Sequence, residues 1–235
     1  MKLRTRVFTQ LAALLVLGAC SFAADNAYLY VVDGIPGRDI ADNVNPSLPV
    51  DVLIDGDCAI RGLVFGSIGG PLSFSAGTYN VQISEANTLA PCTNGALVTS
   101  QVTLTAGQSV SAVAAISGGE PDLLQFTDNL SPVAPGNARF VLVQTADAPA
   151  LEATLTQLDV KSPETFTVTA KPEKQAAITV PDGTYRVQIT AVGATTVLAT
   201  VNINLSNQSA TFAYATGEAA NNSIELVNRT VQGVF

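Results

Sequence analysis

Residues 72–83 read Leu-Ser-Phe-Ser-Ala-Gly-Thr-Tyr-Asn-Val-Gln-Ile, and residues 178–189 read Ile-Thr-Val-Pro-Asp-Gly-Thr-Tyr-Arg-Val-Gln-Ile. The shared core is Gly-Thr-Tyr-x-Val-Gln-Ile, from Gly77 to Ile83 and from Gly183 to Ile189. A strand, a tight turn at the glycine and a second strand with alternating faces account for both copies. The phrase therefore predicts one β-hairpin in each of two tandem units. Nothing in it is chemically reactive.

Working outward, the first half continues the strand pattern. Tyr28 to Val32 is an apolar opening strand, stopped by Asp33-Gly34-Ile35-Pro36-Gly37. Val50 to Ile54 is the next strand, and Asp55-Gly56 marks a turn because that pair tolerates positive φ. Leu63 to Phe65 is a short edge segment before a glycine-rich turn at Gly66, Gly69 and Gly70. Val98 to Thr105 alternates, Gln108 to Ile116 is small and apolar enough for a buried strand, and Leu123 to Asp128 closes the unit. About seven short strands with turns between them is the pattern of an immunoglobulin-like sandwich. Residues 131–137, Ser-Pro-Val-Ala-Pro-Gly-Asn, form a linker short enough to limit relative motion.

The second half repeats the plan from Arg139 to Thr145 through Leu151 to Leu158, Thr165 to Thr169, the repeated phrase and Val197 to Leu205. The expected fold is all-β: two tandem immunoglobulin-like antiparallel β-sandwich domains, at 26–130 and 138–235, after an N-terminal signal peptide at 1–24. The offset between copies is 106 residues at Gly77/Gly183 but 101 at Leu104/Leu205. The first copy thus holds an insertion between these landmarks, the stretch that carries Cys92.

Residues 1–24 begin with Lys2, Arg4 and Arg6 and continue into an apolar run from Leu11 to Ala19, too short to span a bilayer comfortably. Two processing readings stand side by side. Ser21-Phe22-Ala23 before Ala24 suits ordinary signal peptidase, whereas Leu17-Gly18-Ala19-Cys20 resembles the lipobox of bacterial lipoproteins. The second would make Cys20 the lipidated first residue and Ser21 a signal for the outer membrane or cell surface. The first would leave a periplasmic or secreted protein. In either oxidising compartment Cys58 and Cys92 most simply form one disulfide, with two free buried thiols as the other reading.

Chemistry is constrained by what the chain lacks. It has no His and no Trp. Ser-His-Asp and Cys-His nucleophiles, and zinc sites built on imidazole, are therefore excluded, and no cofactor fingerprint occurs. We read the chain as non-enzymatic and cofactor-free. Beyond residue 19 it has 8 basic and 19 acidic groups, a net −11, which repels phosphate backbones and argues against nucleic acid. The polar excursion at 37–49 offers Asp39, Asp42, Asn43 and Asn45 as calcium-type oxygen ligands, near Asp33, Asp51, Asp55 and Asp57. A solvated loop is the simpler reading. Tyr79 and Tyr185 are better placed for packing or turn capping than for a sugar platform.

Several stretches resemble a bacterial family known as domain of unknown function 4397: Pro49 to Gly56, Phe65-Gly66, Ala76 to Tyr79, Val102 to Gly107 and Asp128-Asn129-Leu130. Ala146 to Ala150 and Asp182 to Tyr185 carry it more loosely in the second half. The resemblance implies exported β-sandwich modules, often in tandem, with no assigned activity. Family members commonly carry a His-Ala-Ser-Pro-like stretch after the first strand, where this chain has Asp33-Gly34-Ile35-Pro36. The expected role is a cell-envelope or surface protein in adhesion, scaffolding or assembly, held to the membrane through Cys20 and meeting a protein or glycan partner. The rival is a glycan- or calcium-binding extracellular module.

Overall fold

A computed structural model describes residues 26–37 and 49–233. The first half forms eight strands: β1 (Asn26–Asp33), β2 (Val50–Ile54), β3 (Asp57–Leu63), β4 (Ser67–Ser75), β5 (Gly77–Glu85), β6 (Ala96–Leu104), β7 (Ser109–Ser117) and β8 (Glu120–Thr127). The second half forms eight more: β9 (Asn137–Gln144), β10 (Leu151–Gln157), β11 (Thr165–Ala170), β12 (Lys174–Pro181), β13 (Gly183–Ala191), β14 (Val197–Leu205), β15 (Ala210–Thr216) and β16 (Glu225–Val231). Each half is a sandwich of two four-stranded sheets. Their orders are β4-β1-β7-β8 over β3-β2-β5-β6, and β12-β9-β15-β16 over β11-β10-β13-β14. The two sandwiches expected from the repeat are present, each of eight strands where about seven were expected in the first. The middle pairs β1–β7 and β9–β15 run parallel while the other pairings are antiparallel.

The repeated phrase is not a hairpin. β4 pairs with β1, whereas β5 pairs with β2 and β6, so the chain changes sheets at Ala76-Gly77. The same crossover joins β12 to β13. Alternation along each strand is equally compatible with both connections, because one buried face per strand is all it reports. The tyrosine closes the corner: the Tyr79 hydroxyl donates to the Ser75 carbonyl at 2.9 Å, and that of Tyr185 to Pro181 at 2.8 Å. Gly66 to Gly70, expected as a turn, instead leads into β4, whose pairing with β1 slips between Leu29 and Val31.

Each sandwich has its own core. Leu29, Val31, Val52, Ile83 and Leu104 centre the first, and Phe140, Leu142, Leu155, Tyr185 and Leu205 the second. A third apolar cluster joins the halves, with Val32, Val113 and Phe126 meeting Val141, Val143, Phe212 and Tyr214. The sheets of β1 and β9 therefore bury both faces, and the molecule is a stack of four sheets. This is why β7 and β15 are buried along nearly their whole length and show no polar alternation.

An ion pair crosses this seam. Arg229 of β16 pairs with Asp128, its side chain 9% exposed and that of Asp128 1%. Its guanidinium lies 3.8 Å from the Tyr30 ring centroid and 4.5 Å from that of Phe212. It also donates to the Tyr214 and Ser111 hydroxyls, each at 3.0 Å. Ser109 and Ser111 donate to the same carboxylate at 2.5 and 2.9 Å. By register, Asp128 stands where the second sandwich has Val231, and Arg229 where the first has Phe126. Each member of the pair thus replaces an apolar residue found at its counterpart position in the other copy.

Candidate functional site: the loop-bearing end

Strand direction gathers the longer connections at one end of the stack. β1, β3, β5 and β7 finish where β2, β4, β6 and β8 begin, and the second sandwich does the same. These ends of the two sandwiches lie side by side. A Cβ on Gly34 would meet Ala114 O at 2.8 Å and Thr216 Cγ2 at 2.9 Å, and one on Gly66 would strike the Glu225 carboxylate. The Ser117 hydroxyl donates to Glu173 at 2.5 Å. The end therefore carries the connections 64–66, 86–95 and 118–119 beside 145–150, 171–173, 192–196 and 217–224.

The 86–95 loop is held by a disulfide and a set of hydrogen bonds. Asp51, 1% exposed, accepts the Gly62 N–H on Oδ1 at 2.9 Å. Its Oδ2 accepts Cys92 N–H at 2.7 Å and Asn87 N–H at 3.2 Å. Burial pushes the Asp51 carboxyl up, but these three N–H groups and nearby Arg61 outweigh it and hold the group below its ordinary value. Cys92 is joined to Cys58 in a disulfide, as the cysteine count led us to expect. Asn87 Oδ1 caps the Leu89 and Ala90 N–H groups at 3.1 and 3.0 Å, an Asx turn. Thr93 Oγ1 donates to Ala90 O at 2.7 Å and Asn94 Nδ2 to Glu85 O at 3.1 Å. With its polar groups bonded internally, the loop presents Leu89 at 96% exposure. The equivalent connection in the second sandwich, 192–196, is five residues shorter and has no cysteine.

Leu89 has company. Among the described residues seven large apolar side chains are exposed, and five of them, Val64, Leu89, Leu97, Val192 and Val197, lie at this end. Shallow cavities open beside them: one among Pro49, Arg61 and Pro91, one among Ile35, Leu97, Ile116 and Pro121, and one among Val197, Ala219 and Ile224. A fourth lies between the sandwiches, walled by Ile116 to Gly118, Thr145 to Ala148 and Glu173. Clustering of exposed aliphatic groups at one pole is what an interaction surface requires.

The expected calcium ligands Asp39, Asp42, Asn43 and Asn45, and Cys20, lie outside the described residues. The described carboxylates near them in sequence are not brought together. Asp33 is buried, with Oδ1 accepting Ile35 N–H at 3.0 Å and Oδ2 without a partner. Burial pushes its carboxyl up to about 7, against the lowering effect of that N–H. Asp55 sits at the opposite end, where it accepts the Asn80 N–H at 2.7 Å, and Asp57 is exposed on β3. No group of three or more His, Cys, Asp or Glu able to hold a metal occurs among the described residues.

The sequence profile of the family described as "Domain of unknown function (DUF4397)" matches residues 27–154, more than half the chain. The chain belongs to that family. The match takes in the whole first DUF4397 sandwich, the linker, β9 and the start of β10. No curated protein matches the chain. Solved structures that are similar in part include the Bacillus anthracis TIE protein, at 10% identity and a TM-score of 0.26, over 87% of this chain and 34% of that one. The chain thus spans about a third of that protein's length. Two candidate cell adhesion proteins also match. That from Bacteroides ovatus is 10% identical with a TM-score of 0.29, over 86% of this chain and 95% of its own. That from Bacteroides fragilis is 11% identical with a TM-score of 0.29, over 89% and 98%. At these scores the likenesses carry no argument about function.

Neither Leu89 nor Arg229 stood out in the DUF4397 sequence as a functional residue. A leucine within a stretch of Asn, Thr, Pro and Gly was the available signal for the first. For the second there was none, since β16 alternates like any half-exposed strand.

Proposed function

We propose that this DUF4397 protein is a non-catalytic component of the bacterial cell envelope or surface, acting in adhesion, scaffolding or assembly. The observation that supports this most is the polarity of the stack. β1 begins at Asn26, at the pole opposite Leu89, Val64 and Val192. A chain lipidated at Cys20 would leave the membrane through Ser21 to Asp25, a tether of at most roughly 18 Å. The loop-bearing end would then face away from the membrane, where a partner can reach it. The absence of His from the chain supports the non-catalytic part.

Mass spectrometry of the full-length protein produced with its own leader tests the anchor. A diacylglyceryl-modified Cys20 as first residue is expected, and an unmodified Ala24 start would remove the tether from the proposal. Attachment or aggregation assays on cells with and without the protein test the role. Identical behaviour of the two would count against adhesion.

A further inference from the structure

Resting on that reading, we infer that the 86–95 loop is a preformed anchor for a protein partner, with Leu89 entering an apolar pocket on that partner. The loop departs from the repeat, so the fold does not need it: the second sandwich connects the same two strands with five fewer residues. Three tethers nevertheless hold it in place, namely the buried Asp51 carboxylate, the Cys58–Cys92 disulfide and the Asn87 caps. What these tethers fix in space is a leucine that touches almost nothing. A leucine ordered in the free protein meets a pocket without the entropy cost of ordering a flexible segment. The cleft among Pro49, Arg61 and Pro91 at its base gives the rim of the pocket somewhere to seat.

The chemistry selects the class of partner. The loop contains no aromatic ring, the usual platform for a sugar face, and its apex is a branched aliphatic group. This end carries Glu85, Glu120, Asp122, Asp147, Glu173 and Glu225 against Arg61, Lys171 and Lys174. An anionic bilayer or a second copy of this acidic chain would meet like charge. A protein with an apolar pocket inside a basic rim would not.

Site-specific photo-crosslinking in producing cells tests the assignment, with a photoreactive residue placed at Leu89, at Val192 on the same end, or at Val160 on the other. The expected result is a discrete adduct with a different protein from position 89 and none from 160. Added full-length protein should suppress the adduct. Full-length Leu89→Asp should need about tenfold to hundredfold more to do so, the burial value of one leucine. A Cys58→Ser/Cys92→Ser competitor keeps Leu89 but frees the loop, and it too should compete poorly. An exposed apex makes Leu89→Asp a safe variant for folding, and its unfolding curve provides the check. An adduct of twice the chain's own mass, an adduct with lipid or glycan, or equal yield from 89 and 160 would overturn the inference. A protein adduct from 192 but none from 89 would overturn it while leaving the surface-binding role in place. No adduct from either would remove both.

Discussion

Truncation of the seam arginine, Arg229→Ala, should be among the most damaging single changes available in this protein. The guanidinium is nearly buried, flanked by Tyr30 and Phe212, and it is the cation that meets Asp128. Its removal leaves a carboxylate 1% exposed with only the two serine hydroxyls. Loss of one member of a buried pair costs about 3–5 kcal/mol, whereas an exposed pair is worth about 0–1 kcal/mol. The assay is equilibrium urea unfolding read by tyrosine fluorescence, with limited proteolysis of residues 131–137 as a report on seam opening. Asp128→Ala should cost a similar amount, because it strands the arginine, whose Nη1 already lacks a partner. The double variant Asp128→Val/Arg229→Phe gives each position the residue its counterpart carries in the other copy. It should recover much of the loss, giving a coupling of at least about 2 kcal/mol. A loss below about 1 kcal/mol for Arg229→Ala, with linker cleavage unchanged, would refute the reasoning. The sandwiches would then be joined by the apolar cluster of the seam and not by this ion pair.

Three further predictions concern single groups. Asp33 titrates near 7 in the fold against an ordinary 3.8, so its contribution is complete below 3.8 and is lost as pH rises through 7. Asp33→Asn should therefore stabilise the protein at pH 8, by up to about 4 kcal/mol, and flatten its melting temperature between pH 4 and 7; an unchanged profile would contradict the buried placement. Burial pushes the Tyr214 hydroxyl up to about 12, so the stability it contributes should fall as pH rises from 10 towards 12. A Tyr214→Phe variant should lose that alkaline slope, as followed by circular dichroism, and retention of the slope would assign it elsewhere. Reduction of the Cys58–Cys92 bridge, which spans 34 residues, should cost about 4 kcal/mol in the chain-entropy description. It should also release hydrogen-exchange protection at Asn87 and Cys92 before the β-sheets, and protection that survives reduction would make Asp51 the principal tether.

Much of the architecture was legible in the residues, for identifiable reasons. Alternating Val, Thr and Ile in short runs reports strands with one buried face, and the repeated phrase aligned the two copies well enough to locate the insertion carrying Cys92. The cysteine pair and the turn-capping tyrosines followed from inventory and spacing. Partner choice between strands was not legible. The sheet change at Ala76-Gly77 and a hairpin at that place have the same local pattern, because alternation records which residues point inward and not which strand lies alongside. The candidate site was visible only as a place where the copies differ.

Sequence alone determined that this protein is two β-sandwich copies, that it is acidic and lacks histidine, and that one copy holds a cysteine-bearing insertion. Those properties depend on local periodicity and composition, which the chain states directly. Tertiary structure decided that the copies stack into four sheets and that Asp128 and Arg229, each apolar at its counterpart position in the other copy, meet across the seam. It also decided that Leu89 shares one pole with Val64, Leu97, Val192 and Val197. These are contacts between residues up to a hundred or so positions apart, set by the packing of one sheet on another, and no window of sequence contains both partners.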